Sequence, residues 1–166
     1  FRMVQLWVNL PAQDKMSAPK YQAITDAQIP VATFAGGRAR VIAGTFGGIH
    51  GPATTFTPIN VWDLRLEAGA EVKLDLPEGH TSMIVVLSGR VLVDGRDVRE
   101  AEIVRFSTAG AGATVRADSD AMLLVLTGEP IDEPVVGYGP FVMTSEDEIR
   151  QAITDFNTGR FGQMAS

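Results

Sequence analysis

The chain has 166 residues, enough for one domain with a substantial core, and its 14 basic and 20 acidic residues give a formal net charge of −6. This balance argues against a nucleic-acid surface, which needs clustered positive charge, and the lack of cysteine excludes disulfides, thiolate catalysis and cysteine-bound zinc. The sequence has neither an apolar run of about 18 residues, which would predict a transmembrane helix, nor a signal-peptide pattern, so we expect a cytoplasmic protein without a membrane partner.

The opening segment, Phe1 to Pro11, lacks an initiator methionine and predicts a strand over Val4 to Leu10. Because a strand needs hydrogen-bonding partners, we expect this segment to continue from a preceding part of the protein that is absent. Further strands are predicted at Tyr21 to Thr25 and at Arg38 to Ala43.

Two neighbouring segments, 61–67 and 71–76, alternate between apolar and polar residues. The first runs Val61-Trp-Asp-Leu-Arg-Leu-Glu67, with the apolar side chains on one face and the charged side chains on the other. This period of two is typical of half-buried antiparallel strands, so we expect Asp63 on the solvated face. Gly69 fits the short loop of a hairpin between the two strands.

The middle of the chain predicts a series of short strands: Ser82–Leu87, Arg90–Val93, Glu102–Phe106, Ala113–Arg116 and Ala121–Leu126. The last of these is apolar throughout, so we place it in the centre of a sheet with both faces covered. Asp94-Gly95 is the strongest hairpin signal in the chain. About ten short strands separated by turns favour an all-β sandwich or barrel, and a small jelly roll is the best architecture.

One α-helix is predicted near the C-terminus, after a proline-rich segment. Ser145 and Glu148 form a capping box, in which the hydroxyl accepts a backbone N–H and the glutamate reaches back three residues. Gly159 fits the C-terminal cap. The helix has one apolar stripe, which we expect to dock on the sandwich: Ile149, Ala152, Ile153 and Phe156.

The two histidines are the residues to weigh as ligands. His50 lies in a glycine-rich loop, and His80 directly precedes a buried strand. With Glu78 they would supply three metal ligands, since jelly rolls often hold a metal through histidines and a carboxylate. The alternative, which we favour, is that His80 hydrogen-bonds the backbone at a loop end and His50 lies on a surface or interface loop. We therefore predict no catalytic or metal-binding residue and keep His50, Glu78 and His80 as pocket or interface candidates.

No motif for nucleophilic catalysis or phosphate binding is visible. Ser82, Ser88 and Ser107 lie in strand or turn contexts, without a G-x-S-x-G elbow. The glycines follow no dinucleotide-binding or P-loop pattern, so we interpret them as turn residues. An acidic cluster at 129–133 would suit acid–base chemistry, but such clusters are usually just solvated.

Sequence runs at both ends of the chain resemble the pirin family. Near the start they are Gln5-Leu-Trp-Val-Asn-Leu-Pro11, Pro19-Lys-Tyr-Gln22 and Ile29-Pro30. Near the end they are Leu126-Thr-Gly-Glu-Pro130, Gly139-Pro-Phe-Val-Met143 and Asn157-Thr-Gly-Arg-Phe161. The middle, Gly69 to Gly89, looks like the C-terminal cupin domain of that family.

Pirins are bicupins with two jelly-roll barrels in tandem, so the resemblance implies a cupin-type jelly-roll β-barrel with one C-terminal α-helix. In the family the N-terminal barrel binds iron through three histidines and one glutamate. Bacterial and human members are described as quercetin dioxygenases, and eukaryotic members as transcriptional co-regulators. The iron ligands precede the segment that matches Leu6 to Pro11. The resemblance therefore implies Fe(II) only in the missing N-terminal domain and no cofactor in this chain.

The general cupin metal motif can be laid on this barrel with its last glycine at Gly89. Ser82 then falls on the glutamate position, and the histidine positions fall on Leu76 and Glu78 or on Asp75 and Pro77. The second motif falls near a set of residues without histidine: Ala101, Ser107, Ala109 and Gly112. His80 lies near the ligand positions but not on them. A metal-free barrel is therefore implied, as the second barrel of pirins generally is.

The resemblance implies three parts: a bridging strand and linker between barrels at 1–25, a metal-free cupin barrel at 26–130, and a proline-rich segment with a helix that packs on the barrel at 131–166. We expect a structural or regulatory C-terminal domain, inactive alone, of an iron-dependent quercetin 2,3-dioxygenase-like bicupin. Its partner would be the missing N-terminal cupin domain. Two alternatives stay open: an interaction module, which binds a protein partner or forms a homodimer, and a metal-free binder of small molecules.

Overall fold

Short strands account for most of the regular structure in residues 3–161, the part of the chain that the computed structural model describes. In the barrel half they are β1 (Val31–Phe34), β2 (Gly37–Ala43), β3 (Thr45–Phe46), β4 (Ile49–His50), β5 (Ile59–Leu66), β6 (Glu71–Asp75), β7 (Thr81–Ser88), β8 (Arg90–Val93), β9 (Arg96–Arg99), β10 (Ile103–Arg105), β11 (Gly112–Ala117) and β12 (Ala121–Gly128). They are followed by β13 (Val136–Tyr138), β14 (Phe141–Met143) and the helix α1 (Glu146–Asn157). The prediction of an all-β cupin-type jelly roll with one C-terminal helix is confirmed.

Two antiparallel sheets make up the jelly roll. The larger sheet has six strands in the order β1-β2-β5-β12-β7-β10, and the smaller has four in the order β6-β11-β8-β9. Strands β3 and β4 pair only with each other, as do β13 and β14. Successive strands often change sheets, which is the connectivity expected of a jelly roll.

The chain divides into two compact units. The barrel unit is Ala23–Pro130 and holds β1 to β12. The terminal unit joins the described residues of Phe1–Gln22 to those of Ile131–Ser166, and it holds β13, β14 and α1. Among residues 3–161, no helix is long and apolar enough to span a membrane.

The interior of the barrel unit is lined by the apolar faces of its strands. Trp62 and Leu64 are buried, as the alternation in residues 61–67 predicts. In β12, five consecutive side chains are buried, from Leu123 to Thr127, and the strand lies between β5 and β7. The prediction of a central strand covered on both faces is confirmed.

The predicted hairpin around Gly69 is wrong. Strand β5 pairs with β2 and β12 in the larger sheet, whereas β6 pairs with β11 in the smaller sheet. Gly69 lies at the crossing between the sheets, and its N–H donates to the carbonyl of Ala117 (2.8 Å). A period of two identifies the buried face of a strand but not its neighbour, so the alternation was compatible with either connection.

The predicted hairpin at Asp94-Gly95 is confirmed, since it joins β8 to β9. Both residues have positive φ, 48° and 80°, as a type I′ turn requires. The Asp94 carboxylate also accepts the backbone N–H of Thr114 (2.8 Å), which ties the turn to β11.

The strands predicted at Val4–Leu10 and Tyr21–Thr25 are absent. Residues 3–11 have no regular structure, so the strand is wrong for the described part of the chain. That residues 1–25 bridge two barrels stays a prediction. No other described strand pairs with this segment, and without a neighbour no ladder forms. Near Thr25 the chain turns instead, because its backbone N–H donates to the Gln28 side chain (2.8 Å) and starts a 3₁₀ turn at Asp26–Gln28.

The expectation that Asp63 lies on a solvated face of β5 is wrong. Its side chain is buried and lies between two arginines. Arg40 donates to one carboxylate oxygen (2.8 Å), and Arg65 donates to both (2.9 and 3.0 Å). The Asp63 carboxylate raises the pKa of the Arg40 guanidinium above its usual value. Pairing on two sides allows this carboxylate to be buried as a charged group.

Polar contacts join the two segments of the terminal unit. The Lys15 ammonium donates to Asn9 Oδ1 (2.8 Å) and to the carbonyl of Val142 (3.1 Å). Glu133, which belongs to the acidic cluster noted in the sequence, accepts the backbone N–H of Ala12 (2.6 Å). The cluster therefore has a structural role at one of its members.

Helix α1 begins and ends with side-chain and backbone caps. Ser145 Oγ accepts the backbone N–H of Glu148 (3.3 Å), as predicted. The Glu148 carboxylate, however, accepts from the backbone N–H and hydroxyl of Thr144, four residues back rather than three. At the other end, Gly159 has φ of 71°, and Arg160 N–H reaches the carbonyl of Asp155 (2.8 Å), which is a Schellman cap.

The apolar stripe of α1 is partly buried. Ile149 and Ala152 are buried, whereas Phe156 is exposed and contacts the rings of Phe141 and Phe161 edge-on. The helix packs against β13 and β14 within the terminal unit. Docking of the stripe on the barrel stays a prediction.

Glu148→Gln is expected to destabilise the start of α1 at neutral pH. The hydrogen bonds from Thr144 lower the pKa of the Glu148 carboxyl, so its stabilisation is present above the pKa of an unfolded glutamate, about 4.3. It is lost as the pH falls through the lower folded value. Thermal unfolding measured from neutral to acid pH should show the two proteins converging on acidification.

Glu146→Gln is the matched control, because Glu146 is an exposed acid of the same first turn. It is expected to change the melting temperature less than Glu148→Gln does. Equal losses in both variants would show that helix-dipole effects, and not the Thr144 hydrogen bonds, stabilise this helix start.

Candidate functional site at one end of the barrel

Three polar side chains interrupt the apolar inner face of the larger sheet. Asn60, Ser82 and Thr127 lie in phase with the buried apolar residues of β5, β7 and β12. The strand register places Thr127 opposite Asn60 on one side and opposite Ser82 on the other. The three residues therefore form a polar row at the end of the barrel where β5 and β7 begin and β12 ends.

Asn60 is held by hydrogen bonds on both sides of its amide. Its Oδ1 accepts the backbone N–H of Thr45 (2.9 Å), and its Nδ2 donates to Thr127 Oγ1 (2.8 Å). Because a backbone N–H can only donate, the first bond fixes which amide atom is the oxygen. Gly44 leaves room for this amide, since a Cβ there would lie 2.0 Å from Asn60 Oδ1.

The two histidines lie at the ends of this hydrogen-bonded chain. Thr45 Oγ1 is 2.8 Å from His50 Nδ1, and Thr127 Oγ1 is 3.4 Å from His80 Nδ1. Since Thr127 Oγ1 accepts from Asn60, its own proton is available to His80 Nδ1. The polar chain thus runs His80–Thr127–Asn60–Thr45–His50.

Glu78 takes no part in the polar chain. It lies exposed in the turn before β7, where Gly79 N–H donates to the carbonyl of Thr108 (2.9 Å) and His80 N–H to that of Pro77 (3.1 Å). The structure therefore connects His50 and His80, through three intervening residues, and leaves Glu78 outside.

The residues present do not fit a cupin iron site. Within residues 3–161, no three histidine, aspartate or glutamate side chains lie close enough together to hold a metal ion. Two positions on which the metal motif falls, Leu76 and Ser82, are buried. An aliphatic side chain offers iron no donor, and a neutral hydroxyl is a poor substitute for a carboxylate.

An aromatic cavity of about 430 Å³ lies beside the polar chain, within the barrel unit. Phe34, Phe46 and Trp62 line it, and Thr45 of the polar chain is also in its wall. The rings of Phe46 and Trp62 meet edge to face, with centroids 5.1 Å apart. We call this space the aromatic cavity.

The sequence predictions missed Asn60, Thr45 and Thr127. Two of them could have been found from the alternation of the strands. Asn60 lies two residues before the buried Trp62, and Thr127 lies two residues after the buried Val125, so both side chains point to the buried face of their strand. A polar residue on that face requires a partner. The partner itself depends on strand register, which one sequence does not give.

Thr127→Val is expected to lower the free energy of unfolding by about 1 kcal/mol, since the partly buried Asn60 amide loses its acceptor. The shape of the side chain is nearly conserved, so packing is a minor contribution. Urea denaturation measures the loss. Thr33→Val, at an exposed position of β1, is the control and should stay within about 0.5 kcal/mol of the unmodified chain. Equal effects at both positions would refute a role for the polar chain in stability.

A known protein family matches most of the chain. The family model of the pirin C-terminal cupin domain matches residues 61–162. The match includes Ser82 and Thr127 of the polar row, all of β6 and β5 from its third residue onward.

Two relatives illustrate the similarity. A Pseudomonas aeruginosa protein named "Putative quercetin 2,3-dioxygenase PA2418" is 52% identical over 161 residues, which are 96% of this chain and 56% of the relative. Pirin from Mus musculus is 39% identical over 96% of this chain and 57% of its own length. The chain thus spans a little over half the length of the curated relatives it matches.

A solved structure has the same fold. The crystal structure of quercetin 2,3-dioxygenase from Acinetobacter baumannii superposes with a TM-score of 0.89 at 45% identity. The alignment covers 96% of this chain and 56% of that protein.

Proposed function

Because the chain belongs to the pirin family through its C-terminal cupin domain, we propose that it is the metal-free barrel of a two-barrel protein. In this role the domain is a scaffold, which packs against a second, iron-binding cupin barrel and closes one side of its site. The partner of this chain is that N-terminal barrel, and the complete protein works in the cytoplasm.

One observation carries the proposal: the barrel interior lacks a donor set for iron. The polar row offers an amide and two hydroxyls, and the nearby His80 faces Thr127 through Nδ1. His50 is connected to the same chain only through Thr45. Each Nδ1 has a threonine hydroxyl as its partner, and within residues 3–161 neither histidine belongs to a group of three side chains that could hold a metal ion. These two observations together support a structural use of both histidines.

The activity of the complete protein follows from its relatives and is part of the proposal. We propose an iron-dependent dioxygenase that acts on quercetin or a similar flavonol. Fe(II), bound in the barrel outside this chain, would supply open coordination positions for substrate and oxygen. In this proposal the described residues of the chain contribute no iron ligand to that step.

Metal analysis of the purified chain tests the proposal. After incubation with Fe(II) and gel filtration, we expect iron far below one atom per chain, since no three potential ligands converge among residues 3–161. The His50→Ala/His80→Ala double variant should retain as little iron as the unmodified chain. Stoichiometric iron that disappears in the double variant would overturn the metal-free assignment.

A second function, an interaction module, is favoured by one feature of the terminal unit. Large apolar side chains near the start of the chain are exposed, among them Met3 (74%) and Trp7 (70%). Exposed apolar clusters of this kind are typical of interaction sites. They suit either the second barrel or, in the isolated chain, another copy or a protein partner.

Sedimentation velocity over a range of concentrations tests this second function. If the apolar segment drives self-association, the sedimentation coefficient should rise with concentration, and Trp7→Ser should weaken the rise. A strict monomer at all concentrations would count against the homodimer.

A further inference from the structure

The aromatic cavity has features of a ligand site that are independent of iron. It is walled by three rings, and the Phe34–Phe46 and Phe46–Trp62 centroids are 6.0 and 5.1 Å apart. Its volume of about 430 Å³ lies in the range of small-molecule pockets, roughly 300–1,000 Å³. Flat rings stack or meet edge-on with such walls, so the cavity suits a planar aromatic molecule of one or two rings.

One residue that lines the cavity, Trp62, has a buried donor without a partner, and this donor is covered in the structure as it stands. Among the described residues, Trp62 Nε1 is the one buried side-chain nitrogen or oxygen without a hydrogen bond, and Trp62 is only 2% exposed. Leaving a buried donor unpaired costs about 1–3 kcal/mol, so such groups are rare in native proteins. The indole packs edge to face with the ring of Phe46, and an aromatic ring is only a weak acceptor for an N–H.

The position of Phe46 explains how an acceptor would reach the indole. Phe46 is half-buried, and it lies on the two-residue strand β3 next to Gly47 and Gly48, which have positive φ. Positive φ at both residues is typical of a tight two-residue hairpin turn, and β3 pairs with β4 over only two residues. A ligand ring that replaces the Phe46 ring against Trp62 would bring its own acceptor to Nε1.

The charges at the rim select against anions. Glu71, Lys73 and Asp75 of β6 line the opening with two carboxylates and one ammonium. A negatively charged ligand would therefore meet net repulsion, whereas a neutral one would not.

From these observations we propose that the aromatic cavity binds a neutral, planar aromatic molecule whose carbonyl oxygen accepts the Trp62 indole N–H. The proposal does not rest on the scaffold role, because neither iron nor a second barrel enters it. It also gives a partner to the Trp62 indole N–H, the one unpaired buried donor in the described part of the chain.

The indole N–H itself reports on binding. The chain has two tryptophans, so the Trp7→Phe variant, labelled with ¹⁵N, has a single indole N–H signal. Titration with benzamide, a ring with a neutral carbonyl, should move that signal saturably and downfield. Toluene, which lacks an acceptor, should not produce this downfield shift. Benzoate should bind about fivefold or more weakly than benzamide, because it meets the rim carboxylates.

A second variant separates the hydrogen bond from stacking. Trp62→Phe keeps an aromatic ring in the wall and removes the donor, so benzamide should bind about fivefold more weakly while toluene binds as before. If this variant fails to fold, the titrations of the Trp7→Phe protein with benzamide, toluene and benzoate still test the proposal. An indole signal that no probe moves saturably, or that toluene moves as far downfield as benzamide, would overturn the proposal. Neither result would bear on iron binding.

Discussion

Gly89→Ala is expected to destabilise the barrel by about 3 kcal/mol or more. Gly89 has φ of +85° and lies where the chain passes from β7 in the larger sheet to β8 in the smaller one. A Cβ at this position would lie 2.3 Å from the carbonyl oxygen of Asp120 and 2.9 Å from Cα of Ala121. Both are backbone atoms, so relief requires a shift of the start of β12, the central strand.

Gly69→Ala is the matched control for this prediction. Gly69 has the same φ of +85°, but a Cβ there would meet no atom within 4 Å. Its substitution should cost only the backbone strain of an L-residue at positive φ, about 1–2 kcal/mol. Urea denaturation of both variants measures the difference, and equal losses would show that the close approach to Asp120 is unimportant.

Leu123→Ala should have the other large effect, a loss of about 2–5 kcal/mol in the free energy of unfolding. Leu123 is fully buried on β12, opposite Leu64 of β5 and Val86 of β7. Truncation removes buried apolar surface and leaves a cavity between the two sheets, where neighbours on fixed strands can close in only partly.

Ile103→Ala is the control for the core substitution. Ile103 is 62% exposed on β10, the strand at the edge of the larger sheet, so its truncation should change stability by no more than about 0.5 kcal/mol. If the variants differ in their urea midpoints but not in the slope of the free energy against urea concentration, the substitution has changed stability and not the surface exposed on unfolding. A Leu123→Ala loss as small as that of Ile103→Ala would mean that the interior of the jelly roll is not the main source of stability.

The sequence was most informative where local chemistry decides the structure. Three features that depend on a few adjacent residues are present in the structure: the inward-facing apolar residues of β5, the Asp94-Gly95 turn and the buried strand β12. The caps of α1 were also predictable, except that Glu148 bonds Thr144 rather than Ser145. That difference of one residue depends on side-chain geometry and not on spacing.

The errors share one physical cause, which is that strand partners are set by tertiary structure. Strands β5 and β6 have the alternation of a hairpin, yet they belong to different sheets. The segment at Val4–Leu10 has strand-forming residues, but it has no partner among the described residues and forms no strand. Asp63 was expected in solvent because the arginine opposite it, Arg40, is 23 positions away in the chain.

The candidate site was the least predictable feature. The sequence singled out His50 and His80 because histidine is a common ligand, and the structure places both at the ends of one polar chain. The residues between them, Thr45, Asn60 and Thr127, are common types without a motif. Likewise, the unpaired indole of Trp62 is visible only once the packing around it is known.

Oxygen consumption with quercetin tests the central claim most directly. The purified chain, supplied with Fe(II) and quercetin, is expected to consume oxygen no faster than Fe(II) and quercetin alone, because its described residues offer no three-ligand metal site. The His50→Ala/His80→Ala double variant should give the same background rate. Turnover by the chain above this background, lost in the double variant, would contradict the account and place a catalytic metal in this barrel.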